Sequence, residues 1–296
     1  MGRQQKFPQI DYDEATGELK EIYDDIQATM RAPWVAYFCR VLALFPDYLP
    51  LAWRAAQPNF TTRYAERAAD ALRDQSLFPD TTPPDLRPVL KDLGWDDAQI
   101  GEVRRALDAL NYGNPKYLLL ITAWAEAFQD RLAGGASLSP EDSALLPPGL
   151  PDGVAPLHLV DPATATPEVQ ALFTRVKELH LYHGISSDYR VLASWPEFLG
   201  VALDQVLGPV VPTAEYTLKC RALLIQAREL VRGFPSPAGI SPDALADSCS
   251  PLEIAALTGL LTMYQQFVIT VTVDMIHVKR ALDGPEAAAA SPFPIP

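Results

Sequence analysis

Two polar stretches carry the residues most able to do chemistry. Ser186-Ser187-Asp188 stands at the head of one apolar helical pattern, and Asn111-Tyr112-Gly113-Asn114-Pro115-Lys116-Tyr117 interrupts the chain just before another. A carboxylate beside a bound anion can take a proton from water, and an amide can hold that water in place; together they make a hydrolytic arrangement. Both stretches also have ordinary structural uses. Ser186, Ser187 or Asp188 suits a helix N-cap, and Asn-Pro ordinarily marks a turn or a helix start.

Other chemistries are poorly supplied. Cys39, Cys220 and Cys249 are far apart and odd in number, which offers neither a disulfide framework nor a four-thiolate zinc site, and buried free thiols are expected. His180 and His183 are spaced to share a helix face, but no HExxH motif or third ligand accompanies them, so no metal is expected. The net charge of −13 argues against a nucleic-acid partner. An anionic small molecule remains compatible if helix N-termini or backbone amides supply a local positive potential.

Elements that would position these residues are helical throughout. Apolar residues recur at helical spacing in Leu19, Ile22, Tyr23 and Ile26, in Val103, Leu107 and Leu110, in Val169, Leu172, Phe173 and Val176, and in Leu223, Ala227, Leu230 and Val231. The apolar runs Tyr117 to Trp124 and Phe267 to Ile276 exceed ordinary strand length and read as helices buried on most sides. The 28 prolines cluster between helical segments, most extensively over 134–166, which reads as an ordered linker between 1–133 and 167–296. No uninterrupted apolar stretch of about 18 residues occurs, and the first residues lack a signal-peptide core, so a soluble cytoplasmic protein without a membrane partner is expected.

The two halves repeat. A shift of 150 residues aligns Arg40-Val41-Leu42-Ala43-Leu44-Phe45-Pro46-Asp47-Tyr48-Leu49 with Arg190-Val191-Leu192-Ala193-Ser194-Trp195-Pro196-Glu197-Phe198-Leu199, six of ten identical. The same shift pairs Glu18 with Glu168, Ile22 with Leu172, Tyr23 with Phe173 and Ile26 with Val176. Two related helical repeats packed as a pseudo-dimer would leave one cleft between them. Just before the matched arginines the copies diverge: Pro33-Trp34-Val35-Ala36-Tyr37-Phe38-Cys39 faces His183-Gly184-Ile185-Ser186-Ser187-Asp188-Tyr189, so Phe38 pairs with Asp188 and Tyr37 with Ser187. Both stretches open a helix, with Pro33 suited to its first position. Facing helix starts would cradle an anion beside one carboxylate. The second half has Leu261-Thr262-Met263-Tyr264-Gln265 opposite the Asn-Pro stretch, so the amide too belongs to one copy.

At these residues the chain resembles the group I 2-haloacid dehalogenases. The resemblance runs through Pro33-Trp34-Val35-Ala36, Cys39-Arg40-Val41-Leu42-Ala43, Tyr48-Leu49-Pro50-Leu51-Ala52-Trp53-Arg54, 111–122, Ala227-Arg228-Glu229-Leu230-Val231-Arg232-Gly233 and Ser291-Pro292-Phe293-Pro294-Ile295. It implies an all-α fold of two related units, a homo-oligomer (dimer or tetramer), no cofactor, and direct displacement of halide by water with inversion at C2 and no enzyme ester. Asp188 matches the family's base and Asn114 the residue that positions the water, while Trp34, Ala36, Tyr117 and Ser187 match pocket positions. Tyr37 stands where phenylalanine is typical, and Ser186 where non-stereospecific members often have alanine and a D-selective relative has asparagine. The substrate implied is a small anionic 2-haloacid of either configuration, with halide as product. A catalytically inert helical protein that binds an organic acid is the competing reading. An Asp nucleophile on a Rossmann-like domain is disfavoured because no parallel-sheet pattern occurs, and the absent CxxC disfavours thiol redox chemistry.

Overall fold

In the computed structural model, residues 8–78, 82–154, 156–182 and 184–295 are described. The expectation on His183 falls outside them. Among the described residues the chain is helical, with no β-strand beyond one isolated bridge between Thr62 and Leu145. The first half runs through α1 (Gly17–Met30), α2 (Tyr37–Leu42), α3 (Leu49–Phe60), α4 (Arg63–Gln75), α5 (Leu86–Asp92) and the long α6 (Asp97–Ala127). The second half has α7 (Pro167–His180), α8 (Ser187–Leu192), α9 (Pro196–Ala202), a π turn leading into α10 (Gly208–Val210), then α11 (Ala214–Arg232), the long α12 (Pro251–Asp283) and α13 (Pro285–Ala289).

Local chemistry places the helix ends, and it recurs between the halves. Helix α1 ends at Arg31 and α7 at Leu181, each in the left-handed conformation (φ 55° and 56°), and these positions are 150 apart. The Ile10 amide donates to the Arg40 carbonyl at 3.1 Å, and the Val160 amide to the Arg190 carbonyl at 3.2 Å. Thr62 caps α4 through the Ala65 amide as Thr213 caps α11 through the Tyr216 amide. Asp96 with Gln99 and Ser250 with Glu253 form the capping boxes of α6 and α12. Those two helices start 154 positions apart, so the register established at α1 and α2 has lengthened by four. The stretch opposite Asn114 is therefore centred near Val268, C-terminal to the Leu261 to Gln265 segment that a constant shift assigns.

The core is built where α6 and α12 lie against each other. Both apolar runs fall inside these helices, and residues 117–126 of α6 are buried continuously. Helix α12 is long and apolar enough to cross a membrane by length and composition. Its C-terminal half supplies core residues from Ile269 to Leu282, whereas its first turns expose Leu252. Of the three thiols only Cys39 is buried; Cys220 and Cys249 are half-buried. The proline-rich segment 134–166 is tied down by the Leu146 amide to the Thr61 carbonyl at 2.7 Å and the Gly149 amide to the Ala28 carbonyl at 2.8 Å.

Candidate active site

Two short helices point their first turns at one cavity. Ala36, Tyr37 and Phe38 begin α2, and Ser186, Ser187 and Asp188 begin α8. Asn114 and Tyr117 on α6 and Tyr264, Phe267, Val268 and Val271 on α12 complete the wall with Trp34 around a small cavity that opens to solvent. Every residue expected at the site lies on it. The amides of a helix's first turn have no intrahelical partner, so this end of the cavity favours an anion.

The N-cap of α8 is Ser186, whose Oγ accepts the Tyr189 amide at 3.4 Å. That overturns the capping alternative for Asp188, which sits inside the first turn with its carboxylate free for other partners. Pro33 likewise lies before α2 rather than at its first position, because Ala36 is the cap. Asp188 is only 5% exposed. Its Oδ1 accepts Asn114 Nδ2 at 2.7 Å, across 74 residues of chain. Burial pushes the Asp188 carboxyl up to about 6, against hydrogen bonds from Asn114, its own backbone and Ser186, with a further upward push from the Asp274 carboxylate.

Asn114 is in the middle of a helix, not at a turn or helix start. Helix α6 runs unbroken through Pro115, and all residues from Ala109 to Glu126 are buried. Gly113 allows this packing, since a Cβ there would stand 2.3 Å from Trp34 Cη2. The rim of the indole therefore lies against bare backbone. Tyr117 donates its hydroxyl to the Trp34 carbonyl and sets its ring 5.5 Å from the indole.

Two buried polar clusters hold these elements. Behind α8, Asp274 of α12 accepts the hydroxyls of Tyr189 at 2.9 Å and Tyr216 at 2.8 Å, with His180 Nε2 3.3 Å away. Tyr189 follows Asp188 directly, so this cluster fixes the turn carrying the carboxylate. On the other side Glu66 accepts Tyr112 Oη at 2.9 Å and Lys116 Nζ at 3.2 Å. Burial pushes Glu66 up, but Lys116, Tyr112 and Arg73 outweigh it and leave the carboxyl below its ordinary value.

Comparison with known proteins identifies the lineage. Residues 33–189 match the DehI family, described as halocarboxylic acid dehydrogenase DehI. A configuration-inverting 2-haloacid dehalogenase of Alcaligenes xylosoxydans xylosoxydans is 51% identical over 290 residues, covering 98% of each chain. Another from Pseudomonas sp. (strain 113) is 43% identical, over 97% of this chain and 94% of the relative. The chain belongs to the group I 2-haloacid dehalogenase family. A D-2-haloacid dehalogenase mutant solved in complex with D-2-CPA superposes with a TM-score of 0.86 at 25% identity, covering 93% of this chain and 95% of that one.

The stretch matching the dehalogenase family runs from Pro33 to Tyr189 and so takes in both helix starts and Asn114. The α12 wall lies outside it. Sequence reasoning does not place Phe38, Tyr264, Phe267, Val268 or Val271 at the site, where the structure puts them. Phe38 stands out in the sequence only as the counterpart of Asp188. The α12 residues belong to an apolar run whose pattern is that of any core helix; a signal exists only in the lengthened register, which puts Val268 and Val271 opposite Asn114 and Tyr117.

Proposed function

We propose that this dehalogenase hydrolyses small 2-haloalkanoic acids to 2-hydroxyalkanoic acids and halide. Asp188 takes a proton from water, the water oxygen forms a bond to C2, and the carbon–halogen bond breaks from the opposite side with its electron pair leaving on the halide. Configuration at C2 inverts. The observation that carries this reading is the buried Asn114 to Asp188 hydrogen bond of 2.7 Å in the wall of the cavity. A carboxyl poised near 6 is ionised at neutral pH yet basic enough to accept a proton. Asn114 gives one of its two amide N–H groups to Asp188, and its amide oxygen is available to accept a hydrogen from water. Trp34, Ala36, Tyr37, Tyr117, Ser186 and Ser187 hold the substrate, its carboxylate against the first-turn amides of α2 and α8.

Two related units, 1–133 and 167–296 joined by 134–166, form the site between them in this reading; the recurring caps and matched backbone bonds support it. The protein acts in the cytoplasm as a dimer or tetramer, without a cofactor. A binding protein with the same cavity would release no chloride from 2-chloropropionate. The deciding experiment is a single turnover with enzyme in excess in ¹⁸O-water: label is expected in the hydroxy acid and none in the protein. Label on Asp188 would mean that the carboxylate itself attacks and forms an ester.

Both enantiomers are expected to turn over, with some preference for D. One fixed water reaches C2 of either, opposite the halogen, only if methyl and hydrogen exchange places while the carboxylate and halogen stay. Ser186 lines the cavity and its single oxygen leaves room for either methyl. Asparagine caps a helix as well as serine does. Ser186→Asn should therefore keep α8 intact and suppress L-2-chloropropionate turnover more than D. Equal loss for both would transfer stereochemical control to Tyr37, whose ring packs edge-on against Tyr264 at 5.7 Å in the same wall.

A further inference from the structure

Arg73, on the last turn of α4, is fully buried and lies away from the cavity, yet its guanidinium is aimed at the turn of α6 that carries Asn114. Its Nε donates to the Asn111 carbonyl at 3.0 Å and its Nη2 to the Tyr112 carbonyl at 3.2 Å. Nη1 donates to the Asp70 carboxylate, and the guanidinium carbon stands 5.8 Å from the centre of the Tyr112 ring.

The first of those two carbonyls is the one a proline at 115 disturbs. Pro115 has no N–H to give to the carbonyl four residues earlier, which is Asn111, and its ring crowds that oxygen. The Tyr112 carbonyl, next along, borders the same opening. Both residues are buried, so water does not serve them; Asn111 is 0% and Tyr112 2% exposed. A buried carbonyl left without a donor is costly. A guanidinium presents two parallel N–H groups in a rigid plane, which suits two successive carbonyls; an ammonium does not.

We propose that Arg73 is a positioning residue for the hydrolytic water site: by bonding the Asn111 carbonyl that Pro115 leaves open, together with its neighbour at Tyr112, it sets the direction of the α6 turn, and so keeps the Asn114 amide aligned on Asp188. Asn114 sits between the bonded carbonyls and the proline, with Gly113 pressed against Trp34 on one side and the carboxylate on the other. Any relaxation of the opening turns the amide away from Asp188 while leaving the substrate-binding helix starts of α2 and α8 in place. The inference rests on Asp188 being the base.

Arg73→Lys and the Pro115→Ala background test it. Alanine at 115 restores the N–H that the Asn111 carbonyl lacks, so the bond Arg73 gives to that carbonyl becomes dispensable. In the otherwise native protein Arg73→Lys should lower kcat roughly 10–100-fold with KM changed less than about threefold. The acid limb of kcat/KM should move upward, because the Asn114 bond is the largest of the three that oppose the effect of burial on Asp188. In the Pro115→Ala background the same substitution should cost less than about threefold in kcat. Should Arg73→Lys alone fail to fold, the double variant measured against Pro115→Ala still decides the matter by the same ratio. A lowered Tm with unchanged kcat and acid limb would reduce Arg73 to a stability residue and overturn the inference, as would an equal loss in both backgrounds. Asp188→Asn run alongside separates the two ideas. If it turns over like the parent, the base reading falls and takes this inference with it; if it is inactive while Arg73→Lys is unimpaired, only the inference falls.

Discussion

Asp188→Asn is expected to lose turnover by roughly 10²–10⁴-fold, the usual contribution of a general base, while remaining at least as stable as the parent. Asparagine keeps the size of the side chain and an oxygen for Asn114, but it cannot accept a proton from water. The stability half of the expectation follows from the direction of the pKa shift. Burial raises the Asp188 carboxyl from 3.8 to about 6, so between those values the folded protein binds a proton that the unfolded chain has lost. Stability falls as pH rises through that window, and the deficit persists above it. A rise of that size corresponds to about 3 kcal/mol at most for a carboxylate buried in this way. Removing the charge relieves that cost, so Tm at pH 8 should be unchanged or higher in the variant, and its advantage should shrink as pH falls below about 6. The parent's kcat/KM should rise with pH through about 6, and whatever residual rate the variant has should lack that limb. A variant that unfolds, or that retains parental turnover, would contradict the assignment; Ser186 already caps α8, so loss of a cap cannot account for unfolding.

The second large effect is expected at Gly113→Ala. In an exposed helix this substitution stabilises by about 1 kcal/mol, because alanine has the higher helix propensity. Here the new methyl would lie 2.3 Å from Trp34 Cη2, 2.9 Å from Cζ2 and 3.1 Å from Cζ3. The indole is rigid and 7% exposed, with its backbone held by Tyr117, so it can yield only towards the cavity. Overpacking costs about 1–3 kcal/mol, which cancels or exceeds the propensity gain. Stability should therefore change little, or fall by one or two kcal/mol on that scale. Activity should change much more. The displaced indole occupies substrate space, and the α6 turn bearing Asn114 shifts with it, so kcat/KM is expected to fall on the order of 10²-fold. Kinetics indistinguishable from the parent would show that Trp34 and α6 can separate without consequence for the site.

Part of the site is legible in the amino-acid sequence. Asp188 and Ser187 stand out because they replace Phe38 and Tyr37 in an otherwise matching copy, and Asn114 because its stretch has no counterpart in the second half. Phe38 shares the cavity with Asp188, as related positions on either side of one cleft would. Roles are less legible than positions. A serine, a serine and an aspartate in a row offer three candidate caps, and only the 3.4 Å contact from the Tyr189 amide assigns the task to Ser186. Asn-Pro reads as a helix boundary because proline removes a local hydrogen bond; here Arg73, from a separate helix, donates to the Asn111 carbonyl that Pro115 cannot serve, and the helix continues.

What the sequence by itself determined was the helical class, the repeat, the family and the identity of the residues at the two helix starts. These follow from patterns within one helix turn or from direct comparison of one stretch with another. Tertiary structure alone decided that Asn114 meets Asp188 across 74 residues, that α12 closes the cavity, and that the carboxyl is poised near 6. The physical reason is that each of these depends on burial and on the register between packed helices. Local spacing is the same whether a carboxylate ends in water or against Asn114, Ser186 and the walls of α6 and α12, and only the second environment raises its pKa.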